Sequence, residues 1–337
     1  MKRDTSIDLM RFIGLTMIIL AHIGLSRSTS PLFQFRSFDV PLMVFTSGLA
    51  FAGKQTGPYL SFIFKRTLRL IVPVFLFVSA YILLNPILSD LGWVDKYTGE
   101  IIRGTYILRL NPSIGYVWVI RVFLIVMLLT PFLLWLDRKI SRNWVCFIVI
   151  GAFVAMQQGL AMWLQESENI LIKDWVLYVF GYSAVFFLGL RAKRLSTPAL
   201  AGVFALLAVL VAGTALYMNH EYGTIMRLQA TKYPPQLYYL LWGMCVSCLL
   251  WLTSGLWKRL LDNSLFTFIG RNTIWIYLWH IPFVNVVVGG PFDHWHPGLK
   301  YAFVYIGALC MYGIQYYLVK KANARWENNR ITKYFVG

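Results

Sequence analysis

Charge is what this sequence is short of. Only 13% of its 337 residues are Asp, Glu, Lys or Arg, against roughly 25% in an average soluble domain. That leaves no room for a large water-soluble domain. Carboxylates are scarcer still, with 14 Asp and Glu facing 31 Lys and Arg. Cysteine is also sparse: four residues, all in apolar segments, which excludes a disulfide scaffold. Cys245 and Cys248 form a C-x-x-C, but inside a hydrophobic span with no histidine nearby, so packing accounts for them and no metal site is expected. Low-complexity tracts, polar linkers and repeats of 20–50 residues are absent too, which removes solenoids and linker-joined domains.

What is present is apolar. The chain is 58% hydrophobic, with mean hydropathy +0.62. The reading is an all-α polytopic membrane protein, one domain over residues 1–337 with no appended soluble domain. Ten spans are expected, at 7–24, 39–53, 66–84, 114–136, 144–165, 174–190, 198–218, 236–256, 265–288 and 300–320. Lys2 and Arg3 resemble the start of a signal peptide. Asp8 and Arg11 interrupt the apolar stretch, however, and no small-residue cleavage site follows, so the segment should remain as a helix.

The net charge of +17 does not call for nucleic acid. With the N-terminus inside, the inner segments carry roughly twice as many Lys and Arg as the outer ones, the asymmetry of the positive-inside rule. Both termini are then cytoplasmic. Two outer segments are long, 85–113 and 219–235, the second with Lys232-Tyr-Pro-Pro235. Long loops in a compact domain are usually functional.

Within the spans, ionisable residues mark sites by default, because burying them in lipid is costly. Arg11 and His22 lie in the first span, close to three helical turns and ~16 Å apart on one face. Asp8 is placed to pair with Arg11 three residues on. His280, in the outer half of the ninth span, has similar depth to His22, and the two imidazoles could line one cavity. Histidine suits proton transfer near neutral pH. Arg66 and Arg69, one turn apart at the inner start of the third span, could grip phosphates. Arg121, beside Trp118, either snorkels to the outer interface or faces a cavity, and Asp39 could pair with it or with His22. The ninth span, Gly270-Arg-Asn-Thr to His280-Ile-Pro282, is the least apolar, and its proline suggests a broken helix.

These residues carry a resemblance. Asp8-Leu-Met-Arg11, ten residues, then His22 resembles the R-x10-H motif of the acyltransferase-3 membrane O-acyltransferases. Pro41-Leu-Met-Val-Phe-Thr-Ser-Gly48 is similar to that family's Ser-Gly helix, and Arg66-x-x-Arg69 to its R-x-x-R motif. Gly270-Arg271-Asn-Thr with Ile276-Tyr277-Leu-Trp-His280 resembles its late motif, and Lys232-Tyr233-Pro-Pro also occurs in members. The motifs run from residue 8 to 282. Two departures stand: Asp39 where a histidine is often found, and no appended esterase-like domain.

The resemblance implies an acetyl-CoA-dependent O-acetyltransferase of the inner membrane. Acetyl would pass to a hydroxyl of an extracytoplasmic or lipid-linked polysaccharide, of O-antigen or capsule type. Acetyl-CoA would be co-substrate, with no bound cofactor. His22 would be catalytic, with Arg11 and Asp8 as motif partners, and Arg66 and Arg69 would serve CoA. Asp39, Trp118, Arg121, Lys232, Tyr233, Arg271, Tyr277 and His280 are the cavity or acceptor candidates. The residues alone also admit a transporter of an anionic solute.

Overall fold

The computed structural model describes residues 4–24, 31–55, 57–164, 166–325 and 332–336. Lys2 and Arg3 lie outside these, as do Arg27 and Arg330, two of the cations behind the charge asymmetry. Every regular element among the described residues is a helix. Long helices are α1 (Thr5–His22), α4 (Tyr59–Asp90), α6 (Trp118–Lys139), α7 (Asn143–Leu164), α8 (Leu177–Ala192), α9 (Thr197–Tyr222), α10 (Leu237–Leu252) and α14 (Pro297–Arg325). Shorter ones are α2 (Pro31–Phe35), α3 (Asp39–Phe51), α5 (Gly99–Tyr106), α11 (Ser254–Leu261), α12 (Ser264–Arg271) and α13 (Thr273–Val287). Below, the proximal end of the bundle is where α1 starts, and the distal end is where it finishes.

Among the described residues, seven helices are long and apolar enough to cross a bilayer. An eighth span forms if α10 and α11, bent by 71°, count as one. Two of the ten expected spans therefore fall short of that length: α3, with 13 residues, and α13, with 15. Both are interior helices, and almost every residue of α3 is buried.

Burial sorts the layers. The span Ile172–Ala192 is 78% buried, whereas Thr197–Tyr222 is 11% and Pro297–Arg325 22%. α1, α3, α8 and α13 form the centre, while α4, α7, α9 and α14 turn leucine, isoleucine and aromatic side chains outward. In water such a surface would drive aggregation. Against lipid tails it is ordinary.

Glycine sets the closest approach in the core. A Cβ on Gly48 of α3 would lie 2.2 Å from the Phe186 carbonyl of α8, and one on Gly189 would lie 2.2 Å from the Phe45 carbonyl. The two backbones touch where only hydrogen fits. On the same turn of α3, Ser47 faces a cavity. The Ser-Gly pair thus divides its work between packing and lining.

The scarce carboxylates are shared. Each of four buried aspartates holds two cations: Asp8 takes Arg11 and Arg271, Asp39 takes Arg36 and Lys232, Asp137 takes Arg191 and Arg194, and Asp174 takes Arg109 and Arg121. Together these pairs join α1, α3, α6, α8 and α12 to one another or to the connecting segments that carry Arg36, Arg109, Asp174, Arg194 and Lys232. A buried charge persists only when paired and hydrogen-bonded, so these brackets fix how the elements meet.

The proline expectation for the ninth span needs correction. Pro282 lies inside an uninterrupted α13. The break falls ten residues earlier, at Asn272 between α12 and α13. There the Asn272 side chain caps back onto the Phe268 carbonyl at 2.7 Å and accepts from the Tyr312 hydroxyl at 2.7 Å. Polar side-chain bonds, not a missing N–H, accommodate the turn.

Candidate active site

α1 and α13 run in the same direction side by side, and each delivers one histidine. His22 Nδ1 lies 2.8 Å from His280 Nε2, and the rings stack at 5.0 Å between centroids. His280 Nδ1 donates to the carbonyl of Tyr277, one turn back on its own helix. That bond fixes the tautomer. With Nδ1 protonated, His280 Nε2 is an acceptor, so the proton between the rings belongs to His22 Nδ1. The remaining nitrogen, His22 Nε2, then carries a lone pair. No described residue bonds it.

Aromatic rings enclose the pair. Tyr116 packs on His22 at 4.6 Å and on His280 at 5.7 Å. The Tyr277 hydroxyl, whose ring is 6.3 Å from His22, donates to the Tyr116 carbonyl. This closes the connection just before α6 against α13.

Two adjoining cavities lead toward the pair from the proximal end. The first, about 290 Å³, is walled by Arg11, Arg66, Arg69, Ser47 and Thr273. The second, about 190 Å³, shares Arg11, Ser47 and Thr273 and reaches Ile18, Met43 and Tyr277. Ile18 is one turn before His22. The path is basic at its mouth and apolar where it nears the histidines. The mouth cations are held in place: the Arg66 guanidinium sits over Phe51 at 5.3 Å and Phe62 at 5.8 Å, and Asp8 lies 3.8 Å from Arg11.

A second cluster is buried on the distal side. Asp39 accepts from Arg36 at 2.7 Å and from Lys232 at 3.2 Å. Lys232 also sits within 6 Å of the rings of Trp118, Tyr233 and Tyr239. Burial pushes the Lys232 ammonium below the ordinary lysine range, against the opposing pull of Asp39. The chain segment that bears Lys232 and Tyr233 therefore folds back into the bundle.

Two pairing expectations are corrected here. Asp39 joins neither Arg121 nor His22; Arg36 and Lys232 are nearer. Arg121 does not snorkel. It is fully buried, donating to Asp174 at 2.8 Å and to the Leu108 carbonyl at 2.8 Å. Its partner comes from a stretch 53 residues on, a separation no local spacing rule detects. Arg271 stands apart from the other cavity candidates. It bonds Asp8 at 3.1 Å at the proximal end and is partly exposed, on the side opposite His22.

Arg36, Asp174 and Tyr116 were missed by the sequence reading. Arg36 stands three residues before Asp39, the same spacing that flagged Asp8 and Arg11, so a signal was present. Tyr116 had none, since it is one tyrosine among 19.

Among described residues, no group of three or more His, Cys, Asp or Glu could hold a metal ion. The arrangement has the parts for acyl transfer: an oriented imidazole base, and a cavity that is cationic outside and apolar within.

No curated protein matches the chain. A family model described as an acyltransferase domain matches residues 4–313. That match covers nearly the whole chain, from the cap of α1 to the middle of α14, and includes every site residue named above. The chain belongs to acyltransferase family 3.

Proposed function

We propose that this membrane acyltransferase moves acetyl from cytoplasmic acetyl-CoA to a hydroxyl of an extracytoplasmic or lipid-linked glycan. The observation that carries the reading is the basic-mouthed path ending beneath the His22–His280 pair. The excess of Lys and Arg in the proximal segments supports a cytoplasmic mouth and cytoplasmic chain ends in a multi-pass protein of the inner membrane.

CoA phosphates meet Arg66 and Arg69, whose forked guanidinium donors suit phosphate oxygens. Arg11 extends the cationic surface inward. The thioester arm follows the apolar second cavity toward Tyr277. The sugar hydroxyl arrives from the distal side. His22 Nε2 takes its proton as the oxygen attacks the thioester carbonyl, forming a C–O bond. His22 is then a cation, and His280 Nε2 accepts its Nδ1–H throughout. The tetrahedral intermediate collapses, the C–S bond breaks, and the proton on Nε2 passes to the CoA thiolate. The products are the acyl ester and free CoA.

The test uses inverted membrane vesicles and radiolabelled acetyl-CoA, with wild type, His22→Ala and Arg69→Ala compared at equal folded protein. Label in the glycan fraction that vanishes in His22→Ala supports the reading. Label unchanged by that substitution removes His22 from the chemistry. CoA-independent movement of an anionic solute would favour the exporter reading.

A further inference from the structure

One wall of the basic cavity comes from outside the long helices. Val336 lines it together with Arg11, Arg66 and Arg69. Val336 is placed by the two residues before it. Trp275 Nε1 donates to the Tyr334 carbonyl at 3.0 Å, and Gln315 Nε2 donates to the Phe335 carbonyl at 2.7 Å. The Phe335 ring stacks on Trp275 with centroids 5.7 Å apart and planes 13° apart. Gln315 is itself oriented, because its Oε1 accepts from Trp279 Nε1 at 2.6 Å.

The anchors belong to the cavity wall. Trp275 follows Thr273 and Ile274, both of which line the cavity. The short turn Thr332–Tyr334 packs against α4, which carries Arg66 and Arg69, and against α14. The segment therefore bridges the two sides of the mouth. An indole N–H and an amide are costly to leave unpaired among apolar helices. Pairing them with backbone carbonyls holds a short segment that would otherwise fray.

We propose that Thr332–Val336 is a wall of the donor site, which packs against a CoA thioester as it lies between the arginines of α4 and the start of α13. The proposal rests on the donor reading above. Its residues act in binding, not in the chemistry at His22.

The test measures equilibrium binding of radiolabelled CoA to detergent-solubilised protein, and acetyl transfer in parallel. Three proteins are compared: wild type, a variant lacking residues 332–337, and Val336→Trp, which fills the cavity with the segment intact. The expected result is a rise of about tenfold in CoA Kd and acetyl-CoA KM in both variants, worth ~1.4 kcal/mol. KM should move more than kcat, and Val336→Trp should keep the wild-type thermal midpoint, whereas the deletion, which unpairs Trp275 and Gln315, should lower it. If the deletion fails to fold, Val336→Trp decides. An unchanged CoA Kd in Val336→Trp overturns the wall while leaving the donor reading intact. Wild type that binds no CoA overturns both.

Discussion

The imidazoles of His22 and His280, 258 residues apart in sequence, share one hydrogen bond of 2.8 Å. Because the Tyr277 carbonyl fixes the His280 tautomer, the pair has a direction. Protonation information runs from a backbone carbonyl, through His280, to the free nitrogen of His22. In the proposed mechanism His280 positions and His22 is the base.

That direction separates the two histidines in a kinetic experiment. His22→Ala should cost about 10²–10⁴ in kcat, the usual contribution of a positioned base. His280→Ala should cost less and change the pH–rate profile, since His22 loses the acceptor that orders its tautomer. His280→Gln, which can still accept at a similar place, should recover part of the loss. Equal losses in all three variants would contradict the assignment.

The arginines at the cavity mouth should report on the donor alone. Arg66→Ala and Arg69→Ala should each raise the acetyl-CoA KM by about 10–100-fold, the loss of a charge-assisted bond of ~1.5–3 kcal/mol. The acceptor KM should hold. Lysine at either position should restore only part, as it keeps the charge without the fork. Initial rates over a donor series decide it.

Asp174 lies between Arg121 and Arg109. Asp174→Ala leaves Arg121 buried without its counter-charge, and should destabilise the fold by about 3–5 kcal/mol. The double variant Asp174→Leu with Arg121→Met should recover most of that. Thermal unfolding in detergent distinguishes this bracket from a catalytic role, which the double variant would not rescue.

Gly48→Ala should fail for a steric reason unconnected with chemistry, since its Cβ would fall 2.2 Å from the Phe186 carbonyl. A loss of roughly 1–3 kcal/mol is expected from overpacking. Ser47→Ala, on the preceding residue, should leave the thermal midpoint in place and alter only donor kinetics. The two melts side by side test whether the motif is split between packing and lining.

Much of the site was legible because it lies on helices with simple periodicity. Eleven residues separate Arg11 from His22, and that spacing alone puts them on one face. Arg66 and Arg69 were legible for the same reason. The break in the ninth span was misplaced because proline is a visible signal, whereas the bond of Asn272 to Tyr312 depends on a helix 40 residues away. Lys232 and Asp174, partners of Asp39 and Arg121, sit 193 and 53 residues away, beyond any local rule, whereas Arg36, three residues before Asp39, was legible and overlooked.

The sequence by itself determined the lipid-embedded helical class, the order of the helices and the identity of the scarce charged residues. Hydropathy and helical period are local properties, written in runs of about 20 residues. Tertiary structure alone decided which cations share each aspartate, that His22 meets His280, and that Val336 closes the basic cavity. Those contacts depend on which helix faces which, and at what height. That is set by close packing across glycines and by the cost of an unpaired buried charge, both of which act between residues far apart in the chain.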